Sequence, residues 1–273
     1  MNIWVLLLLS LIITPAAVGV TNSLIQKFGL IRPNFRGDKI PASYGFLLVL
    51  AAAPVYMAMC IGMPHTRFRT VIFLIVVIAF GVAGFVDDLY GSREVGGFRG
   101  HFSLLFKGKV TTGVMKAFVG GFTAVAMGLI IAQGQPGIAI INALLIVLAA
   151  NSLNLLDLRP GRAVSCFWVG LLGLVILRQG NLNIWNELAV LLLPALWLTR
   201  LDRSAKIMLG DAGSNTLGAV LGLALAFEIN TIGKLIIVIM LGLLQVYAEK
   251  YSITKLIESN RIMREIDRRM GVR

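Results

Sequence analysis

The feature that most constrains this chain is a series of apolar runs about as long as a bilayer is thick. A helix needs roughly 17–25 mostly apolar residues to cover the hydrocarbon core. Such runs lie near residues 3–25, 42–62, 68–86, 111–132, 138–153 and 233–250, with shorter ones near 164–177, 187–198 and 213–227. In lipid the backbone must satisfy its own hydrogen bonds, and a helix does so within one segment. The expected fold is therefore all-α: a polytopic membrane helix bundle of about nine transmembrane helices. The run 187–198 is too short to cross unaided; it is expected to join its neighbours or to sit as a broken helix lining a cavity. Only 14% of residues are charged, against about 25% in soluble domains, which excludes an ordinary soluble domain.

The net charge of +12 sits between the apolar runs and not on one polar domain, so it points to anionic lipid and not to nucleic acid. With nine spans and the N-terminus outside, only Arg67, Arg69, Arg178 and Lys234 of the 25 basic residues fall outside. That is the bias of the positive-inside rule, and merging any two spans would spoil it. No Lys or Arg precedes Lys27, whereas a secretory signal carries its basic residues before the apolar core. The first run is thus expected to be a retained span. The expected location is the inner (plasma) membrane, multi-pass, with the C-terminus inside. Residues 1–251 form the transmembrane domain and 252–273 a cytoplasmic amphipathic tail. In that tail Ile253, Leu256, Ile257, Met263, Ile266 and Met270 recur at helical spacing between basic residues, which predicts one amphipathic helix from Ser252 to Met270. Two roles stay open for it: a helix lying on the membrane surface, or a wall of an active site. Cys60 and Cys166 lie in apolar stretches and suggest neither a disulfide framework nor a zinc site. His65 and His101 are isolated, His101 in a Gly-rich inner loop that could gate substrate.

Charge within a membrane segment is costly, so three acidic clusters stand out: Asp87-Asp88 in GFVDDLYG, Asp157 in NSLNLLDLRPGRA, and Asp211 in LGDAGSN, each at the end of an apolar run. Two spans separate the first from the second and two more the second from the third. All three therefore face the same, basic side. Carboxylates beside lysines suit a divalent cation and a phosphate substrate, because Mg²⁺ takes one or two carboxylates plus substrate oxygens and water. Phosphoryl transfer needs mainly positioning and charge neutralisation. Each cluster also has a structural reading. The Asp pair can be a polar helix end; Asn151 and Asn154 can join helices by hydrogen bonds; Asp211 can cap the next helix. The Gly and Ala run GAVLGLALA reads as close helix packing.

Together GFVDDLYG, NSLNLLD and MLGDAGSN resemble, in order and spacing, the polyprenyl-phosphate N-acetylhexosamine-1-phosphate transferases (MraY/WecA/TagO-like, glycosyl transferase family 4). The loop RPNFRGDKIPASYGF and the stretch KGKVTTGVMKAFVGG are similar to further segments of that family, and the likeness covers roughly residues 30 to 220. The resemblance implies that Asp211 is the metal ligand, with Asn154 beside it, and that Asp87, Asp88 and Asp157 form the catalytic carboxylates. It implies that Lys39, Lys116, Asn154, Gly210, Gly213 and Ser214 bind substrate, the glycines by letting backbone approach it closely. The implied cofactor is Mg²⁺, with Mn²⁺ as an alternative. The implied partners are a polyprenyl phosphate lipid, a UDP-sugar and a second copy of the chain.

The chain departs from the family in three ways. The last inner segment, KLIESNRIMREIDRRMG, lacks the His-rich motif, with Arg261, Arg264 and Arg268 as candidate phosphate donors in its place. Pro160 stands where MraY-like members carry a second Asp, and Arg159 and Arg162 add charge there. The chain ends after the ninth span, without a tenth. These changes fall where the family holds nucleotide and sugar, so they point to a simpler donor than a muramoyl-pentapeptide. The implied function is Mg-dependent transfer of a sugar 1-phosphate from a UDP-sugar to a polyprenyl phosphate for cell-envelope glycan synthesis. Two alternatives stand beside it: a non-catalytic relative that binds polyprenyl phosphate or assembly partners, and a transporter. A transporter would place acids near the midplane and tends to show repeated halves; here the acids sit at span ends and no repeat is visible.

Overall fold

A computed structural model of the protein describes residues 2–91 and 111–272. Among these residues there are eleven α-helices: α1 (Ile3–Phe28), α2 (Leu47–Gly62), α3 (Arg67–Tyr90), α4 (Thr112–Ala132), α5 (Pro136–Leu156), α6 (Arg162–Leu177), α7 (Trp185–Arg203), α8 (Gly210–Glu228), α9 (Thr231–Lys250), α10 (Ile253–Ser259) and α11 (Arg261–Met270). Six of them, α1 to α5 and α9, are long and apolar enough to cross a membrane. Every expected span falls on a helix. The short run 187–198 lies inside α7, one unbroken helix of 19 residues with Pro194 within it. The apolar run underestimates that helix because its last turns carry Arg200, Asp202 and Arg203.

Local signals set the ends. Asn2 caps α1 by accepting from the Val5 N–H at 3.1 Å. Gly29, at φ +61°, closes it, and the Leu30 N–H returns to the Ile25 carbonyl at 3.0 Å, the left-handed stop that glycine allows. Asn230 opens α9 by accepting from the Gly233 N–H at 2.9 Å.

Helix α8 is the central post, buried along nearly its whole length, and it packs most extensively on α5 and α3. The GAVLGLALA run explains how. A Cβ at Gly218 would stand 2.4 Å from the Ala149 carbonyl oxygen, and one at Gly222 2.5 Å from that of Leu145. Only residues without side chains let the two backbones come this close. Around this pair, α1 packs on α2 and α7, α6 on α8, and α9 chiefly on α5.

Two features differ from expectation. The first is a small antiparallel hairpin, β1 (Ile31–Pro33) with β2 (Lys39–Pro41), paired Ile31 to Pro41. Asn34 shapes its turn by accepting from the N–H groups of Arg36 (2.8 Å) and Asp38 (3.0 Å), and Gly37 supplies φ +87°. An all-α reading misses it because three-residue strands carry no periodicity. The second is the tail, which is two helices and not one. Asn260 breaks it, accepting from the N–H groups of Ile262 (3.0 Å) and Met263 (3.1 Å) and so starting a new helix.

Candidate active site

Helix ends at one end of the bundle supply the polar residues. Asp87 and Asp88 lie in the last turn of α3, Lys116 in the second turn of α4, Asn154 in the last turn of α5, Asp157 just beyond it, and Asp211 in the first turn of α8. The structure gathers them. Lys116 Nζ donates to Asp87 Oδ2 at 2.7 Å and also to Asp211 Oδ2. The Thr112 side chain adds a hydrogen bond to Asp87. These three charged groups remain between 17% and 24% exposed, open enough for a ligand to reach them.

Asp88 has a different task from its neighbour. Its carboxylate accepts from the Ser43 hydroxyl at 2.6 Å and from the backbone N–H groups of Asp211 and Ala212 at 3.1 Å each. It thus caps α8 from another helix, where the unpaired N–H groups and the positive end of the helix favour a carboxylate. Asp211 is therefore not the cap; it sits inside the first turn with its side chain free to face Lys116. The backbone allows the fit at Gly210, whose φ is +72° and where a Cβ would stand 2.6 Å from Asp88 Oδ2. A Cβ at Gly213 would meet Gly45 Cα at 2.7 Å. The atoms that require these two glycines belong to the protein.

The remaining predicted residues sort as follows. Asn154 Oδ1 accepts from the Ser214 hydroxyl at 3.0 Å, and Ser214 also donates to the Gly210 carbonyl at 2.9 Å. Ser214 is fully buried and braces α8 against α5. Asn151 is a helix-packing residue, donating to Gln245 of α9 at 2.6 Å. Asp157 is close enough to the others to share their field: burial first, then the charges of Asp202, Asp211 and Asp88, push its carboxyl well above the usual range, against one hydrogen bond from the Gly210 backbone. Lys39 lies exposed on β2, and no hydrogen bond or ion pair joins it to the carboxylates among the described residues. Its hairpin is nonetheless tied to the site loop, because the Met208 N–H donates to the Pro41 carbonyl at 2.7 Å. Arg93, Arg99, His101, Lys107 and Lys109, and with them the Gly-rich loop, lie outside the described residues. His65 is exposed at the opposite end, and both cysteines are free.

Arg162, expected only to add charge, has a partner within the chain. It is 2% exposed and forms a two-pronged pair with Asp267 of the tail, Nε to Oδ1 at 2.6 Å and Nη2 to Oδ2 at 3.0 Å. No contact joins Arg261, Arg264 or Arg268 to the site carboxylates among the described residues.

Sequence reasoning missed Ser43, Thr112 and Asp202. Ser43 sits at φ +57°, in the left-handed region that few non-glycine residues adopt, and its partner is 45 positions away. Asp202 accepts from the Gly161 N–H at 2.9 Å and so holds the loop that follows Asp157. In neither case does a local pattern announce the partner.

Among the described residues no three His, Cys, Asp or Glu side chains form a metal cage. The donors present still fit Mg²⁺, which uses one or two carboxylates and leaves the rest of its shell to water and substrate. Asp87 and Asp211 already share one positive group.

A helical bundle with several bilayer-length apolar helices is the architecture of an integral membrane protein, and here Asp87, Asp88, Asp157 and Asp211 gather at one of its ends. The sequence model of Glycosyl transferase family 4 matches residues 70–229. That is more than half of the chain, and the protein belongs to this family of transferases. The match spans Asp87, Asp88, Lys116, Asn154, Asp157 and Asp211. No curated protein sequence matches the chain.

Proposed function

We propose that the protein transfers a sugar 1-phosphate, of the N-acetylhexosamine type, from a UDP-sugar to a polyprenyl phosphate, giving polyprenyl diphosphate-sugar and UMP for cell-envelope glycan synthesis. The observation that carries this reading is the sharing of Lys116 by Asp87 and Asp211 at the partly open end of the bundle. A phosphate oxygen of the lipid attacks the β-phosphorus of the donor. The bond from that phosphorus to the bridging oxygen breaks, and UMP leaves with the electron pair. Lys116 is placed to neutralise phosphate charge. Asp211 and Asp87, with Asn154 nearby, would hold Mg²⁺, or Mn²⁺ in its stead, which when bound supplies charge neutralisation to the diphosphate. Asp88 keeps the N-terminus of α8 in place, and with it Asp211. A phosphate monoester is largely ionised near neutral pH, so the attack needs no strong base.

The same reading places the site on the cytoplasmic side of the plasma membrane, with the N-terminus outside and the C-terminus inside. The placement of basic residues supports it, as does the gathering of Asp87, Asp88, Asp157 and Asp211 at one end. On this reading α6, α7 and α8 complete nine spans, and a homodimer is the expected assembly.

The test is UMP release by purified protein given polyprenyl phosphate, Mg²⁺ and a panel of UDP-sugars. Release with at least one N-acetylhexosamine donor, abolished by a chelator, is the expected result. A folded protein that releases no UMP with any donor would leave a non-catalytic, lipid-binding relative as the better account.

A further inference from the structure

Helix α11 is mounted the wrong way round for a helix that packs on protein. Asp267 is its one buried residue among those described, locked into the Arg162 guanidinium at 2.6 and 3.0 Å. The Thr254 hydroxyl of α10 accepts a third bond from Arg162 at 3.0 Å. The isoleucines face away: Ile262 is 71% exposed and Ile266 50%, while Met263, on the side of Asp267, is 44% exposed. Ile262 and Ile266 are four apart and share one face. Beside them Arg261, Arg264, Arg268 and Arg269 are all exposed. Burying a charge and exposing isoleucine is costly in water, and a two-pronged buried pair fixes which side turns out.

The place of the helix indicates what covers the stripe. Only Tyr251 and Ser252 separate α10 from α9, an apolar helix long enough to cross a membrane. Arg162, to which α11 is pinned, is the first residue of α6. The far end of the tail is held too: the Val272 N–H donates to the Arg203 carbonyl, at the end of α7, at 2.9 Å. The tail therefore lies at the level where the apolar helices end. An apolar stripe flanked by arginines at that level is the pattern of a helix lying in the headgroup layer of an anionic bilayer.

We propose that α11 is an interfacial strap: Ile262 and Ile266 enter the headgroup region of the anionic leaflet while the Asp267–Arg162 pair holds the helix to the bundle. A fluorophore sensitive to its surroundings tests this in a protein carrying Cys60→Ser and Cys166→Ser. It is attached at Ile266→Cys or, for comparison, at Glu258→Cys, an exposed position on α10. The proteins are placed in nanodiscs of phosphatidylcholine with or without phosphatidylglycerol. The label at 266 is expected to emit at shorter wavelength and to be quenched several-fold more strongly by spin-labelled lipid than the label at 258, with the contrast greater when phosphatidylglycerol is present. Ile262→Cys provides a second reporter should the first variant misfold. Asp267→Asn is expected to reduce the contrast; an unchanged contrast would refute the pin. Water-like emission at both 262 and 266 in both lipids would overturn the proposal, as would a shift that appears only as protein concentration rises in detergent, which would put a second copy on the stripe. None of these readouts requires turnover, so they stand apart from the transferase reading.

Discussion

The two ends of the bundle treat their acids differently, and α3 and α8 show both treatments within single helices. At the end opposite the site, Glu187 is completely buried and paired with Arg69 of α3 at 3.5 Å, and Glu228 of α8 is buried and paired with Arg178 at 3.2 Å. Each acid there has its own arginine. At the site end, Asp87 of α3 and Asp211 of α8 share Lys116. Asp88 and Asp157 stand close by, Asp88 held by hydroxyl and N–H groups. Buried charge that serves architecture is balanced pair by pair, since an unmatched charge is costly in low dielectric. A surplus of carboxylate, left partly open, is what a site for a cation and a polyanion requires. The contrast marks the shared-lysine cluster off from the one-to-one pairs, among which Arg162–Asp267 is the example at the site end.

Variants can break or sharpen that contrast. The largest stability effect is expected from Glu187→Ala, which strands Arg69 at the balanced end. Breaking a buried pair costs about 3–5 kcal/mol, and about 3 is expected because the Arg69 side chain is 31% exposed. Thermal unfolding in detergent reads this loss, and adding Arg69→Leu should recover most of it. Specific activity of the folded fraction should stay near wild type. A drop in activity larger than the drop in folded protein would show that the two ends are not separate.

Gly45→Ala comes next and tests what holds the site end together. A Cβ there would stand 2.1 Å from Gly213 Cα, with backbone on both sides and no flexible side chain to yield. Overpacking of this kind costs about 1–3 kcal/mol. The Tm should fall and UMP release should fall with it, since α8 must shift and carry Asp211 off Lys116. Unchanged activity would mean that the close packing of the 43–45 turn on α8 does not set the site. The smallest effect is expected from Arg269→Ala. Its pair with Glu265 is a surface pair, 80% and 56% exposed, worth about 0.3–0.5 kcal/mol at most, and neither Tm nor activity should move measurably.

Much of this was legible in the sequence. Bilayer-length apolar runs placed the helices, because hydropathy reports the solvent directly. The Gly and Ala run of α8 announced close helix packing, though not that α5 is the partner. Parity of crossings put Asp87, Asp157 and Asp211 at one end. What stayed hidden are contacts between residues far apart in the chain. The capping of α8 by Asp88 joins residues 123 positions apart, and nothing near Asp211 reveals that its helix is capped from elsewhere. The Asp87-Asp88 pair reads as one motif, yet its members do different work because successive helix positions point about 100° apart. Arg162 looked like added surface charge until its partner Asp267, 105 positions later, was in place.

The most direct test of the account is the Mg²⁺-dependent rate of UMP release by Asp211→Asn, measured beside Glu187→Gln with the folded fraction of each fixed by thermal unfolding. Asp211→Asn should keep its fold and lose about 10²–10³-fold in rate, the scale set by removing one electrostatic contributor to a transition state, while Glu187→Gln keeps a rate near wild type. A wild-type rate from folded Asp211→Asn, or equal losses from both variants, would contradict the assignment of the unbalanced end as the active site.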